Sequence, residues 1–273
     1  MTDSVVARVA DRLRDRGTTA DASVDRITVG DAAVLVELSS GVGLAHRPPG
    51  TAPATDGVDL PRLLGWATGD EDGAGAGGTD PIRRALGLAT LNALSAPHVA
   101  WRTGDPMALL DPGVDRVTTV GLFRPALRKF ADVTVRVIER KPVGEVSAPA
   151  GVRVETFTPA ETAAAMDGAE VVFCTGSAFV YGGAAAYLDA APPSATLVVV
   201  GATASFLPAP LFAAGADAVA GAAVDDPDRV RDAVRAGACG TDLHDAGVRK
   251  VYAVADRAPG VRFDTTEKNH DRT

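Results

Sequence analysis

Four short segments, each closing an apolar run, carry the residue types that hold polar ligands: Gly121-Leu122-Phe123, Glu139-Arg140-Lys141, Thr175-Gly176-Ser177 and Gly201-Ala202-Thr203. Glycines and hydroxyl residues at such places let backbone N–H groups face an anion or another polar group. They also make tight turns with no ligand in view. Glu139 is the best single candidate for a metal ligand or a general base, although Arg140 and Lys141 beside it could neutralise it in a structural salt bridge. Thr175 and Ser177 suit an anionic group bound alongside backbone N–H. Asn92 lies on an apolar segment with Leu91 and Leu94, where a buried amide must find partners in local backbone or in a cleft.

Several familiar chemistries are poorly served. The turn GLFRPAL (121–127) has one glycine where a dinucleotide fingerprint needs three, though Glu139 falls where a ribose-binding carboxylate would lie. TGSAF (175–179) holds a serine in an elbow-like setting, but Phe179 replaces the glycine expected two residues on, and no His–Asp pair accompanies it. His46, His98, His244 and His270 are scattered, with no H-x-x-x-H or C-x-x-C spacing for a metal.

The elements that must position these residues follow from periodicity. Val5, Val6, Val9 and Leu13 mark an amphipathic helix ending at Gly17; runs at 24–29 and 33–38 around Gly30-Asp31 predict a hairpin; GVGLAHR (41–47) predicts a third strand. A short helix is expected near 60–67, and Asp80-Pro81 opens a strong one with Ile82, Leu86, Leu91 and Leu94 as its buried stripe. The stretch 69–81 reads as a glycine-rich surface loop. From Arg116 the pattern becomes strand–helix alternation. A strand running into a turn is expected over 117–123 and further strands at 133–139, 153–157, 169–176, 195–201 and 214–224, with helices near 125–131, 159–167, 183–191 and 227–234. Such alternation implies right-handed βαβ units and a parallel sheet, whose ligands bind beyond the carboxyl ends of the strands.

Composition narrows the functional classes. No apolar run nears the roughly 20 residues of a membrane span, and the charged N-terminus lacks the apolar core of a signal peptide. Two cysteines, Cys174 and Cys239, make no disulfide framework and fit a reducing cytoplasm. The net charge of −8 without a basic stripe argues against nucleic acid as a partner. With 27 Asp against 8 Glu and 23 Arg against 4 Lys, the chain suits a high-salt cytosol, an expectation confounded with the codon usage of a GC-rich genome.

Taken in order, VGLFRPALRKF, VIERKPVG, AEVVFCTGSAFVYG and VVVGATASFLPAPLFAAGADAVAGAAVDDPDRV resemble the DUF364 family, described as heavy-metal chelation proteins. GVGLAHR and LGLATLNAL resemble the DUF4213 domain that precedes it. The resemblance implies an α/β chain: a small α+β domain like the enolase N-terminal fold over 1–105, a Rossmann-like domain with a mostly parallel sheet over 106–255, and a polar tail over 256–273. It implies a site between the two domains, with Asn92 on the first and Phe123, Glu139, Thr175, Gly176 and Ser177 on the second. Where many relatives read Asn-Gly-Thr, this chain has Tyr181-Gly182-Gly183, so Tyr181 is expected to cover the ligand or fill the vacated space. Where relatives carry a proline-containing turn, it has Gly201-Ala202-Thr203-Ala204-Ser205. The expected function is binding of a small polar ligand, a heavy-metal ion or metal chelate, in the interdomain cleft. Glu139 is the metal-ligand candidate, a transition metal the expected cargo, and a homo-oligomer is compatible with it. The alternative is an enzyme using a nucleotide-type cofactor on the second domain.

Overall fold

The computed structural model describes residues 5–69, 80–105 and 113–255. Most of the expected glycine-rich loop, 70–79, and the expected polar tail from 256 lie outside them. In the first unit, helix α1 (Val5–Asp15) precedes strands β1 (Val24–Val29), β2 (Ala33–Leu38) and β3 (Gly41–His46) and helices α2 (Leu60–Thr68) and α3 (Pro81–Ser95). The strands form an antiparallel sheet in the order β1-β2-β3, and the first hairpin closes with Gly30 N–H donating to Ala33 O at 2.9 Å. Asp80 caps α3, its Oδ1 accepting from Ile82 N and Arg83 N, while Pro81 occupies the first turn, where no donor is needed.

The expected one-sided stripe on α3 understates its burial. Twelve of its fifteen residues are buried, because it is enclosed by β2 and β3, by α2, and by the second unit. Helix α3 is therefore the central column of the molecule rather than a surface helix.

The second unit is an eight-stranded sheet in the order β4-β11-β10-β9-β8-β5-β6-β7. Its strands are β4 (Arg102–Thr103), β5 (Arg116–Val120), β6 (Thr134–Ile138), β7 (Arg153–Phe157), β8 (Val171–Thr175), β9 (Thr196–Val200), β10 (Ala218–Val224) and β11 (Val248–Val254). From β7 to β10 all pairings are parallel, with β5, the first of these six strands in the chain, beside β8, the fourth. That order places a topological switch point between β5 and β8. The sheet is mostly parallel, as expected, and its antiparallel edge of β11 and β4 was not foreseen. The reason is local: α9 (Pro227–Arg235) and α10 (Thr241–Asp245) carry the chain out and back to the same end of the sheet. Asp225 N–H then donates to Gly247 O at 2.9 Å, and β11 starts opposite the end of β10.

Of the connecting helices, α4 (Arg124–Leu127) is a single turn where a longer helix was expected. The chain leaves it so that Leu127, Phe130 and Val133 bury together in the cluster under β5 and β6. Helices α5 (Thr162–Met166), α6 (Ser177–Tyr181), α7 (Ala184–Ala190) and α8 (Ala209–Ala213) complete the unit, α6 and α8 without a clear sequence signal. One apolar cluster runs without interruption from α1 and α3 into β8, β9 and α6. Among the described residues no helix is long and apolar enough to cross a membrane.

Candidate functional site

The carboxyl ends of β5, β6, β8 and β9 open into a cavity of about 820 Å³, roofed from the first unit by Leu44, His46 and Pro49. Of the nine residues singled out as ligand contacts, Phe123, Glu139, Thr175, Gly176, Ser177, Tyr181, Gly201 and Thr203 line it together. Asn92 does not. Its amide is buried behind the wall, with Nδ2 donating to Leu44 O (2.8 Å), Ala202 O (3.0 Å) and Thr203 O (3.2 Å). It ties β3 to the turn after β9.

Glu139 is the first residue beyond β6. Its own N–H donates to Phe157 O at 2.9 Å, and its carboxylate accepts from Leu122 N (Oε1, 2.6 Å) and Arg140 N (Oε2, 3.2 Å). A carboxylate has about four acceptor sites, so two N–H donors orient it and leave acceptor capacity for a ligand. The Leu122 bond also fastens the turn after β5 to the end of β6. Gly121, at φ 90°, makes that turn possible, since a Cβ there would stand 2.6 Å from Thr175 Oγ1.

The hydroxyls at the carboxyl end of β8 form a polarised chain. Thr175 Oγ1 donates to Val120 O at 2.7 Å, and a carbonyl can only accept. With its hydrogen spent, Thr175 must accept from Ser177 Oγ, 2.8 Å away. Ser177 therefore offers lone pairs to the cavity, and its proton is not held by a histidine as a nucleophile's would be. The serine-elbow reading of TGSAF has no support in this geometry. Thr203 is likewise committed: its buried Oγ1 accepts from His46 N at 2.9 Å.

Residues that the sequence did not single out complete the wall. The Arg140 guanidinium lies 3.5 Å from the Tyr181 ring centroid, a close cation–π stack. The Tyr181 hydroxyl is 3.4 Å from His46 Nε2, on the other unit. The His46 ring opens onto the cleft, yet the surrounding protein strips enough water to lower its pKa below the ordinary 6.5, favouring the neutral ring. Tyr187 also lines the cavity, and desolvation, helped by Cys174, raises its pKa despite nearby Arg140, so it stays protonated. His46 ends a strand whose motif was legible, but nothing in its spacing linked it to Tyr181, 135 positions away. Tyr181 thus stands at the mouth as part of a His46–Tyr181–Arg140 group.

The metal donor set is thin. Among the described residues, no group of three or more His, Cys, Asp or Glu side chains is placed to hold a metal ion. Cys174 is buried in β8, where burial pushes its thiol up to about 12 and removes it as a thiolate ligand. Among the described residues, Glu139 belongs to no such group.

Comparison with known families fits this architecture. A model of the family DUF364, described as "Putative heavy-metal chelation", matches residues 106–253, and one of DUF4213, with the same description, matches residues 10–95. The chain belongs to the DUF364 family. Two solved DUF364 proteins, both of unknown function, share the fold. One, from Pyrococcus horikoshii, has a TM-score of 0.74 at 17% identity, covering 92% of this chain and 100% of that one. The other, from Desulfitobacterium hafniense DCB-2, has a TM-score of 0.70 at 18% identity, covering 91% and 98%. No protein of curated function matches this DUF364 chain.

Proposed function

We propose that this chain binds a small polar ligand, a metal held in an organic chelate rather than a bare ion, in the cleft at the switch point between β5 and β8. The observation that carries this reading is the Glu139 carboxylate, oriented by two backbone N–H groups in a cavity that also holds a Ser177 hydroxyl offering lone pairs, with no group of three or more His, Cys, Asp or Glu among the described residues placed to hold an ion. A chelate brings its own donors to the metal and asks the protein only for outer contacts. Glu139 and Ser177 accept hydrogen bonds from its N–H or O–H groups, while Arg140 and Lys141 meet its anionic groups.

Native mass spectrometry of untagged protein, purified without added chelators, tests this directly. The expected adduct contains a metal and an organic mass together, and Glu139→Gln or Ser177→Ala lowers its occupancy. An adduct of a bare ion, or one indifferent to both substitutions, refutes the reading.

A second reading, an enzyme with a nucleotide cofactor, is favoured by one observation. Glu139 ends the second strand of the parallel run, where Rossmann-type domains accept ribose hydroxyls. Against it, the Leu122 N–H that could face a phosphate is already bonded to Glu139, and α4 is one turn long. Thermal stabilisation by an adenine nucleotide but by no metal complex would favour this second reading.

A further inference from the structure

A smaller cavity of about 260 Å³ adjoins the main one over the end of β9, the middle of β10 and the start of β11, and the two share wall residues that include Phe123, Val200, Gly201 and Leu243. Its lining is largely apolar or glycine, with Thr241 and His244 as polar residues and one charged group. Lys129 and Lys250 converge on the same oxygen of Asp105, Lys250 Nζ at 2.8 Å from Oδ2. Among the described residues, these two ammonium groups share one carboxylate, which leaves the group with an excess positive charge.

The chain's composition makes this placement informative. It has four lysines against 23 arginines; Lys268 lies outside the described residues, and Lys129, Lys141 and Lys250 all line one of the two cavities. A chain that uses arginine for its surface cations thus places its described lysines around one cleft. A lysine is a compact point charge with rotatable donors, suited to an anion that must enter and leave.

We infer that Lys129 and Lys250 form an anion subsite in the second chamber, which takes the ionised carboxylate or phosphate end of a molecule whose other end reaches Glu139. Asp105 occupies the lysines until the anion arrives. Burial alone would raise its pKa, but the hydrogen bonds and charges of the two lysines outweigh burial and lower it, so it is ionised at neutral pH. The two-ended ligand rests on the cleft being a ligand site, whereas the anion subsite can be tested without that ligand.

The test is calorimetric titration of the full chain with inorganic pyrophosphate at low ionic strength. Binding at one per chain is expected, weakened at least about tenfold by Lys129→Met or Lys250→Met. Asp105→Asn should tighten it several-fold by removing the internal competitor, whereas a purely structural triad would gain nothing from that change. Absence of binding, indifference to the lysine substitutions, or weakening by Asp105→Asn each overturns the assignment. Lys250→Gln, at a side chain 47% exposed, keeps the test available if Lys129→Met fails to fold. Failure here leaves the metal–organic adduct of the proposed function standing, and an adduct that proves indifferent to Glu139→Gln and Ser177→Ala leaves the lysine subsite standing.

Discussion

At the scale of single residues, Asn92 shows how a polar group can define a site without touching its contents. Its Nδ2 is shared by three backbone carbonyls, one on β3 and two on the turn after β9. Replacing it with alanine removes the donor from a buried place and leaves those carbonyls short of partners, at a cost of about 1–3 kcal/mol. Asn92→Asp should cost more although it is the closer match in shape. A carboxylate only accepts, and here it would face three acceptors with no donor between them. Urea unfolding of both variants measures the order, and equal stability of the Asn92→Asp and Asn92→Ala proteins would contradict the donor role. Ligand contacts are a separate property, carried by Glu139 and Ser177, which do line the cavity.

At the scale of elements, the close seating of β3 on α3 sets where His46 enters the cleft. Gly43 on β3 lies so near the helix that a Cβ would fall 2.0 Å from Ala89 O and 2.5 Å from Ala93 N. Backbone cannot yield as a flexible side chain does, so Gly43→Ala must push β3 away from α3. A loss of about 3 kcal/mol is expected, read by thermal or urea denaturation, and a neutral effect would mean the strand seats more loosely than described. The strand and helix themselves were legible, because Asp80-Pro81 and alternating apolar residues are local signals. So were the strand ends bearing Glu139 and Thr175-Gly176-Ser177, since they follow continuous apolar runs. The antiparallel return of β11 was not, for it depends on how far α9 and α10 carry the chain rather than on β11's own residues. Nor was the His46–Tyr181–Arg140 group, which two units assemble from positions far apart in sequence. Asn92 drew attention as a buried amide, but only packing could decide that it faces backbone.

At the scale of the whole molecule, charge works in two opposite senses. The chain carries a net charge of −8, and aspartate supplies most of its carboxylates. Exposed pairs such as Arg14–Asp11 and Arg235–Asp232 offset little of the repulsion, being open to solvent. Helix α9 is attached to the first unit by Val230 and Val234, buried against Ala33, Leu35 and Leu44, and by Arg231, whose largely buried two-point contact with Glu37 at 2.8 and 2.5 Å is less screened by bulk ions than the exposed pairs. Raising potassium chloride from dilute buffer to molar concentration shortens the screening length from about 10 Å at 0.1 M to about 3 Å at 1 M. Repulsion among the surface carboxylates falls while the buried contacts persist, so the melting temperature should rise by at least about 3 °C, equivalent to about 1 kcal/mol for a chain of this size. The second chamber responds with the opposite sign, because the attraction of Lys129 and Lys250 for a soluble anion is screened by the same ions. Melting curves and pyrophosphate titrations across one salt series therefore separate the two effects. A melting temperature flat in salt would remove acidic self-repulsion as a determinant of stability, and anion affinity that rose with salt would be incompatible with charge-driven binding at the lysines.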